Sequence, residues 1–366
     1  MLRIQHATMM EIASIVGTRP QFIKLAPFSR EIRKRYREIL IDTGQHYDRD
    51  MVNPFFSELV IPKPDYSLGI GAGSHGEQTS RMFQGLENIL EAEQPELVVV
   101  FGDTNSTLAG ALVASKMNIP VAHIEAGLRS YDRTMPEEIN RVLTDHISTL
   151  LFCPTRASCK NLKREGITEG VHVVGDVMVD TLQHSKKAAM KHSTILERLD
   201  LKPKNYQLLT VHRPVNTDIK DNLATILQAV GDSHIHTAFP VHPRTAKMIR
   251  EHKLRGMIPS NVVTTKPLGH MDITCLESNA KRILTDSGGI QKEAYLLGTP
   301  CITLRTNTEW METVRAGWNI LVGADRKKIL RAIRKSQSPR RRPDVFGPPG
   351  ASARIVAKID SYISRR

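Results

Sequence analysis

Residues 11–27, EIASIVGTRPQFIKLAP, contain a strand, a glycine turn and the start of a helix. The apolar run Glu11–Val16 predicts a buried strand, and the amphipathic pattern after Pro20 predicts a helix over residues 20–36. A strand followed at once by a helix is the repeating unit of parallel sheets. Because the same unit recurs along the chain, the predicted fold class is α/β and doubly wound.

The recurrence extends over both halves of the 366-residue chain. In the first half it predicts strands at 38–41, 97–101, 121–124, 150–152 and 171–174, and helices at 74–93 and 137–148. In the second half it predicts strands at 207–211, 238–241, 262–264, 282–284, 301–304 and 320–322. Two doubly wound domains are expected, at 1–183 and 184–350, followed by a helix at 351–366 that packs back on the first domain.

Hydropathy and cysteine spacing predict the cellular compartment of the protein and its need for a metal. No apolar run approaches the roughly 18–20 residues that span a bilayer, and the N-terminal sequence lacks the pattern of a signal peptide. We therefore expect a cytoplasmic protein with no membrane partner. The four cysteines, Cys153, Cys159, Cys275 and Cys301, match no zinc or redox spacing, so they are predicted to be core thiols and no metal site is expected.

The formal charge of +13 favours an anionic partner, either nucleic acid or a phosphorylated small molecule. Much of the excess lies in the basic runs 30–37, 326–335 and 340–342, which lack the interleaved aromatic residues of a single-strand binder. These runs predict a solvated basic face and no nucleic-acid partner. Salt-sensitive binding of DNA or RNA, tighter than binding of any phosphorylated small molecule, would favour the opposite interpretation.

Polar residues follow the predicted strands of the first domain, at the edge where open α/β sheets bind ligands. Arg19 and Lys24 accompany the glycine turn after the first strand, an arrangement that suits a phosphate or a developing anion. An ordinary strand-to-helix turn with cations on the protein surface would have the same sequence. Asp103 and Glu125 end two successive strands, and Glu137 begins a helix. Three carboxylates in one crevice can divide acid and base roles, whereas helix capping is the alternative for Asp103 and Glu137.

The second domain shows a similar arrangement. His212 and His242 each follow a predicted strand, as catalytic groups or as hydrogen-bonded structural residues. The segment TDSGGIQKE at 285–293 places Ser287 before two glycines at a helix start, where backbone N–H groups would face a diphosphate. Glu293, one turn further on, is positioned to hold ribose hydroxyls.

Seven ordered blocks in this chain resemble the non-hydrolysing UDP-N-acetylglucosamine 2-epimerases. They are GTRPQFIKLAP (17–27), TGQH (43–46), GDTNST (102–107), HIEAGLRS (123–130), PEEINR (136–141), VHRP (211–214) and TDSGGIQKEA (285–294). The resemblance implies a GT-B-like architecture of two Rossmann-type domains with a crevice between them. It also implies a UDP-N-acetylhexosamine substrate, a homodimer, and no metal or nicotinamide cofactor.

The resemblance also assigns roles to individual residues. Catalytic roles are predicted for Asp103, Glu125, Glu137, His212, Arg19 and Lys24. Substrate or UDP contacts are predicted by the resemblance for Arg141, Ser287, Gly288, Glu293, Gln45 and His46. Their positions in the sequence predict such contacts also for Arg213, His242, Gly289 and Arg305.

Two positions depart from the family pattern. Trp310 stands where members often carry an arginine, so Arg305, Arg19 or Arg213 would have to supply that charge. The indole then either packs on the sugar or its acyl group, or lies in the core. This leaves open a modified substrate such as a diacetamido uronic acid. The loop 71–75 lacks a counterpart of the family's effector-binding glutamine, which leaves allosteric activation open.

The chemistry implied by the resemblance is an elimination. A base removes the sugar C2 proton as UDP leaves C1, giving 2-acetamidoglucal, and UDP adds back after a proton is delivered to the opposite face. Two other enzymes remain as alternatives on this fold, a UDP-sugar glycosyltransferase and a hydrolysing epimerase that releases free N-acetylmannosamine.

Overall fold

A computed structural model describes residues 9–45, 58–335 and 339–366. The chain divides into two compact units, the first comprising the chain up to Thr181 together with Phe346–Arg366, and the second Leu182–Val345. Each unit holds one sheet, and the paired strands in the described part of the chain run parallel. Within the described ranges, no helix has both the length and the hydropathy required to cross a membrane.

The first unit contains a seven-stranded sheet in the order β3-β2-β1-β4-β5-β6-β7. Its strands are β1 (Glu11–Val16), β2 (Arg37–Asp42), β3 (Tyr66–Ser67), β4 (Leu97–Phe101), β5 (Val121–Ile124), β6 (Leu150–Cys153) and β7 (Val171–Val173). Its helices are α1 (Arg19–Ile32), α2 (His75–Glu93), α3 (Asn105–Lys116), α4 (Pro136–Ile147) and α5 (Arg156–Arg164). Helix α6 (Val177–His192) begins here and continues into the second unit.

The second unit contains a six-stranded sheet in the order β10-β9-β8-β11-β12-β13. Its strands are β8 (Gln207–Thr210), β9 (Thr237–Pro240), β10 (Val262–Thr265), β11 (Arg282–Thr285), β12 (Cys301–Thr303) and β13 (Asn319–Leu321). Its helices are α7 (Ile195–Arg198), α8 (Pro214–Thr217), α9 (Lys220–Asp232), α10 (Pro243–Glu251), α11 (His270–Asn279), α12 (Gly288–Leu297), α13 (Met311–Arg315) and α14 (Arg326–Lys335), with a 3₁₀ turn at Arg255–Met257.

Both sheets reverse their strand order beside their first strand, and this reversal fixes where a ligand site forms. In the first unit β1 lies between β2 and β4, and in the second β8 lies between β9 and β11. Ligands of open α/β sheets bind outside the carboxyl ends of the strands at such a switch point. The site residues should therefore follow β1 and β4, and β8 and β11.

The core of the first unit's sheet follows from central strands that are largely apolar on both faces. Ile12 and Ile15 in β1 and Val98 and Val100 in β4 are fully buried. Burying a side chain of this size contributes about 1.5–3 kcal/mol. The central strands therefore form a stable base for the loops at their carboxyl ends.

The last helix, α15 (Ala351–Ile363), belongs to the first unit and packs against α1. The Tyr36 hydroxyl donates to Asp360 Oδ1 at 2.7 Å, and Arg35 forms an ion pair with the same carboxylate. At its other end, Asp180 accepts the backbone N–H groups of Gly350 and Ser352 at 2.6 and 2.9 Å. Side chains of the first unit therefore bind both ends of this helix.

The predicted fold class, two parallel α/β sheets, is confirmed. Several predicted element boundaries differ from those in the structure. The helix predicted at 20–36 ends at Ile32, because the chain turns there to enter β2. Strand β3 was not predicted, because two residues are too few to show the alternation of apolar and polar side chains that marks a strand. The stretch around the predicted domain boundary at 183 and 184 is the continuous helix α6.

Candidate active site

Gly102, directly after β4, creates the space in which the first-unit candidates meet. Its φ of +67° is left-handed, which glycine adopts at little cost. A Cβ at this position would lie 2.9 Å from Lys24 Nζ and 3.3 Å from Glu125 Oε2. Any larger residue would displace one of these two groups.

Lys24 on α1 forms an ion pair with Glu125 at the end of β5. The two side chains are only 11% and 7% exposed. Glu125 has a φ of +79°, which is costly for a residue with a Cβ, and its N–H donates to the Phe152 carbonyl at 3.1 Å. Strain of this kind is typical of functional positions, because the surrounding structure must hold it in place.

Asp103, the next residue after Gly102, forms an ion pair with Arg141 of α4. Asn140 of the same helix donates to the Asp103 backbone carbonyl at 3.0 Å. The Asp103 side chain is 28% exposed, whereas that of Arg141 is 4% exposed. Two side chains of helix α4 therefore hold Asp103 in place, while the Asp103 carboxylate remains partly exposed to solvent.

The adjacent glutamates of α4 have different environments. Glu138 is buried, and its carboxylate accepts from the backbone N–H groups of Ser130 and Tyr131 at 2.8 and 3.0 Å and from Arg141 at 2.8 Å. It therefore holds the loop before the helix. Glu137 is partly exposed on the first turn of α4. Of the two, Glu137 is the one whose surroundings suit contact with a substrate.

The glycine turn after β1 is organised by Gln21. Its Oε1 accepts the backbone N–H groups of Gly17 and Thr18 at 2.9 and 3.1 Å, and its Nε2 donates to the Phe101 carbonyl at 2.9 Å. These backbone donors are occupied within the protein. An anion at this turn would therefore be met by the side chains of Arg19 and Lys24 rather than by the turn itself.

The predicted substrate loop is seen only in part. Gln45 Oε1 accepts from the Ser106 backbone N–H at 3.0 Å and from its hydroxyl at 2.7 Å, which anchors Gln45 to the first turn of α3. His46 lies outside the described residues.

A buried charged network supports the strand ends of the first unit. His123 in β5 places Nδ1 at 2.7 Å from Asp145 Oδ1 and Nε2 at 2.7 Å from the Gly102 carbonyl. Arg129 donates to Asp145 Oδ2 at 2.6 Å. Burial alone would raise the pKa of Asp145, but the hydrogen bond and charge of His123, with the charge of Arg129, bring that pKa below its usual value.

In the second unit, Asp286 organises the turn that follows β8. Its buried carboxylate accepts the backbone N–H groups of His212 and Arg213, each at 3.0 Å, and the side-chain amide of Asn216 at 3.0 Å. The His212 ring stands edge-on to the ring of His242, with centroids 5.3 Å apart. His212 is partly exposed and His242 is exposed, so both rings border solvent.

Helix α12 begins at the turn after β11, and its start has the form of an anion site. Ser287 is the N-cap and accepts the Ile290 N–H at 3.4 Å, while Gly288 and Gly289 take the first helical positions. The first N–H groups of a helix have no partner within it and carry partial positive charge. Glu293 lies one turn further on and is 5% exposed.

Trp310 packs against this turn from inside the unit. The indole is 5% exposed, its Nε1 donates to the Gly288 carbonyl at 2.9 Å, and Lys292 Nζ lies 4.4 Å from the ring centroid. Arg305, expected to supply the charge that Trp310 lacks, is bound to Glu309 at 3.0 and 3.2 Å. The departure from the family pattern thus lies directly against the turn at the start of α12, which the sequence predicts to bind the nucleotide.

Four supporting carboxylates and rings were absent from the sequence prediction: Glu138, His123, Asp145 and Asp286. Asp286 is part of the TDSGG segment, so its position was visible but its role was not. His123 begins the HIEAGLRS block, but its role could not be predicted, since it lies on an apolar strand and its partner is 22 residues away. Across the described ranges, no group of three His, Cys, Asp or Glu side chains is arranged to hold a metal ion.

Comparison with known proteins gives concordant matches. The family model described as UDP-N-acetylglucosamine 2-epimerase matches residues 30–360. A Methanococcus maripaludis protein named UDP-N-acetylglucosamine 2-epimerase homolog is 55% identical over 95% of this chain and 98% of its own length. A Pseudomonas aeruginosa UDP-2,3-diacetamido-2,3-dideoxy-D-glucuronate 2-epimerase is 43% identical over 95% and 98%. The crystal structure of the Methanocaldococcus jannaschii UDP-GlcNAc 2-epimerase with UDP-GlcNAc and UDP is 45% identical over 96% of this chain and 100% of that chain, with a TM-score of 0.90.

Proposed function

Because the chain belongs to the UDP-N-acetylglucosamine 2-epimerase family, we propose that it interconverts UDP-N-acetylglucosamine and UDP-N-acetylmannosamine by elimination and re-addition of UDP. The observation that carries this proposal is the pair of ion pairs beside Gly102, Lys24 with Glu125 and Arg141 with Asp103. Carboxylates for proton transfer and cations for a developing anion thus converge at one switch point of the sheet.

The first step breaks two bonds of the substrate. One carboxylate among Asp103, Glu125 and Glu137 takes the proton from C2 of the sugar. The electron pair of the C2–H bond forms the C1–C2 double bond, and the C1–O bond to the diphosphate breaks with its electrons going to UDP. A positioned base of this type contributes about 10²–10⁴-fold.

The second step reverses the first on the other face. A second carboxylic acid of the same group gives a proton to C2 of 2-acetamidoglucal, and a UDP oxygen forms the bond to C1. Two carboxylates held by different cations, Glu125 by Lys24 and Asp103 by Arg141, provide distinct positions for these two proton transfers. Neither step requires an oxidant or a reductant.

In this proposal, residues of the second unit bind the UDP part of the substrate. The diphosphate would lie at the start of α12 beside Ser287, Gly288 and Gly289, where helix N–H groups stabilise negative charge. Glu293 would accept from ribose hydroxyls. His212, whose backbone is fixed by Asp286, would act beside the leaving diphosphate.

The relatives leave two candidate sugars. The Methanocaldococcus jannaschii structure contains UDP-GlcNAc, whereas the Pseudomonas aeruginosa relative is named for a diacetamido glucuronate. The stronger proposal is UDP-N-acetylglucosamine. The matching family model is named for this sugar, and so are relatives that are more similar to this chain than the Pseudomonas aeruginosa protein is. The modified sugar is the second candidate because Trp310 changes the surroundings of the nucleotide turn.

A product assay tests the proposal. Purified protein incubated with each of the two UDP-sugars should convert one of them to its 2-epimer, with the sugar still bound to UDP. Release of free N-acetylmannosamine would instead indicate a hydrolysing epimerase, and sugar transfer to an acceptor without epimer formation would indicate a glycosyltransferase.

Self-association of this chain is supported by an apolar pair on α4. Ile139 and Leu143, one helical turn apart, are 48% and 47% exposed. Exposed apolar side chains that cluster on one face are typical of protein interfaces. We expect a homodimer by light scattering that the double change Ile139→Glu and Leu143→Glu weakens; a wild-type monomer at all concentrations would contradict it.

A further inference from the structure

Arg282 is a buried cation at the amino end of β11, the strand whose carboxyl end leads to the nucleotide turn. It is 4% exposed. The candidate active site follows the opposite end of the same strand, so neither the proposed chemistry nor UDP binding uses this residue.

The guanidinium of Arg282 has no counter-ion in the described part of the chain. Its Nε is buried without a hydrogen-bond partner. Burial disfavours the charged form and lowers the pKa of Arg282, with no opposing charge to restore it. Since a buried charge is normally paired, an unpaired one requires an explanation.

A cavity of about 250 Å³ lies beside Arg282. Lys281 and Arg334 also line it, together with the hydroxyl-bearing Ser233 and one carboxylate, Asp232. That carboxylate is bound to Arg326 at 2.6 Å, which lowers its pKa, so its charge is already balanced from outside the cavity. The lining is therefore positive overall.

Helix α14 extends this positive field over the surface. Its sequence, RKKILRAIRK, buries Ile329, Ala332 and Ile333 against the core and presents its basic residues to solvent. A cleft lined by one sign of charge raises the local concentration of the opposite ion. Part of the basic excess of the chain thus surrounds this cavity.

We propose that the cavity binds a small phosphate-type oxyanion, inorganic phosphate or a phosphate monoester, with Arg282 as its buried anchor. A planar guanidinium matches the oxygens of a phosphate in a two-bond geometry, and Lys281 and Arg334 add charge at the sides. The volume suits an anion of this size and is below the range of about 300–1,000 Å³ typical of pockets for larger ligands.

One neighbouring group offers a different partner for Arg282. Gln207 of β8 is paired with Arg282 in the sheet register, and its buried Oε1 also has no hydrogen-bond partner. Its Nε2 is held by Ser233 and Thr237, each at 3.1 Å. If Gln207 alone satisfied Arg282, the cavity would show no affinity for anions.

Thermal unfolding and calorimetric titration with inorganic phosphate, sulfate and glucose 6-phosphate test the proposal. The variants are Arg282→Met and the matched control Arg331→Met, which removes an equal charge from the outer face of α14. Phosphate should raise the melting temperature of the wild type and of the control. Arg282→Met should bind phosphate about 10- to 100-fold more weakly, because it loses hydrogen bonds to a charged group.

Comparison of the anions identifies the source. Tighter binding of glucose 6-phosphate than of phosphate assigns the site to a phosphorylated metabolite, and equal binding assigns it to the free ion. The proposal is overturned if the wild type does not respond to phosphate, or if Arg282→Met responds as the control does. A loss of stability in Gln207→Leu, equal to that in Arg282→Met and independent of phosphate, would also overturn it in favour of a direct pair.

Discussion

The imidazole of His123 and the carboxylate of Asp145 form a fully buried hydrogen-bonded pair, with Nδ1 and Oδ1 2.7 Å apart. The other ring nitrogen faces the Gly102 carbonyl at 2.7 Å, and a carbonyl oxygen only accepts. Nε2 therefore donates to Gly102, and the ring joins the core of the first unit to the turn that carries Asp103. This arrangement makes His123 a positioning residue for the candidate site.

Replacement of His123 should separate its two hydrogen bonds. A glutamine places its amide nitrogen near the position of Nε2 and keeps the bond to Gly102, whereas an asparagine reaches only towards Asp145. We expect His123→Asn to lower kcat about 10- to 100-fold with KM nearly unchanged, because small displacements of catalytic groups have effects of that size. His123→Gln should retain more activity. Steady-state kinetics check this, and equal kcat losses accompanied by equal losses of stability would mean that His123 is only structural.

Asp145 should be a large contributor to stability. Asp145→Asn leaves His123 and Arg129 facing a neutral group, and breaking a buried pair in this way costs about 3–5 kcal/mol of unfolding free energy. The matched control is Asp218→Asn, whose exposed carboxylate pairs with Arg244 and should contribute below about 1 kcal/mol. Urea unfolding measures both; a similar small cost for the two variants would contradict the role of the buried network.

The contribution of Asp145 should also depend on pH. Its folded pKa lies below its unfolded value, so the unfolded chain binds the proton more readily. The stabilisation is therefore complete above the unfolded pKa, about 3.9, and is lost as pH falls towards and through the folded pKa. The stability gap between wild type and Asp145→Asn should narrow below about pH 4; a constant gap down to pH 3 would be inconsistent with this assignment.

The proposed division of labour between the units predicts two kinds of kinetic defect. Asp103→Asn, Glu125→Gln and Glu137→Gln should lower kcat by about 10²-fold or more while UDP affinity changes little. Ser287→Ala and Glu293→Gln should chiefly weaken UDP binding. Glu87→Gln, a change to an exposed carboxylate on α2, serves as the neutral control. Calorimetric UDP titrations beside kinetic assays would reveal the reverse division if the placement is wrong.

Trp310 should act through the turn that it supports. Trp310→Phe keeps the ring beneath Lys292 but loses the hydrogen bond to the Gly288 carbonyl, which should weaken UDP binding about 2- to 10-fold. Trp318→Phe is the control, because Trp318 is also buried and donates to the Arg341 carbonyl, and its ring packs on Tyr295, about two turns from the start of α12. Unchanged UDP affinity in Trp310→Phe would show that the indole only fills space.

The sequence was informative where the determinants of structure are local. The alternation of strands and helices predicted both parallel sheets, and the seven ordered blocks predicted the family, which the match over residues 30–360 confirms. The left-handed conformation of Glu125 and the pairing of His123 with Asp145 could not be predicted, because each depends on neighbours distant in the chain. The contrast between Glu137 and Glu138 was hidden for the same reason, since only the folded loop shows which glutamate it encloses.

The most direct test of the proposed chemistry is deuterium incorporation at C2 of the sugar. The protein is incubated with UDP-N-acetylglucosamine in D₂O without added metal or nicotinamide, and the C2 position is followed by proton NMR, with a Glu125→Gln sample beside it. Elimination and re-addition predict loss of the C2 proton signal together with appearance of the 2-epimer, and little of either in the variant. Retention of the C2 proton in every UDP-N-acetylhexosamine tried, the diacetamido glucuronate included, would contradict the account.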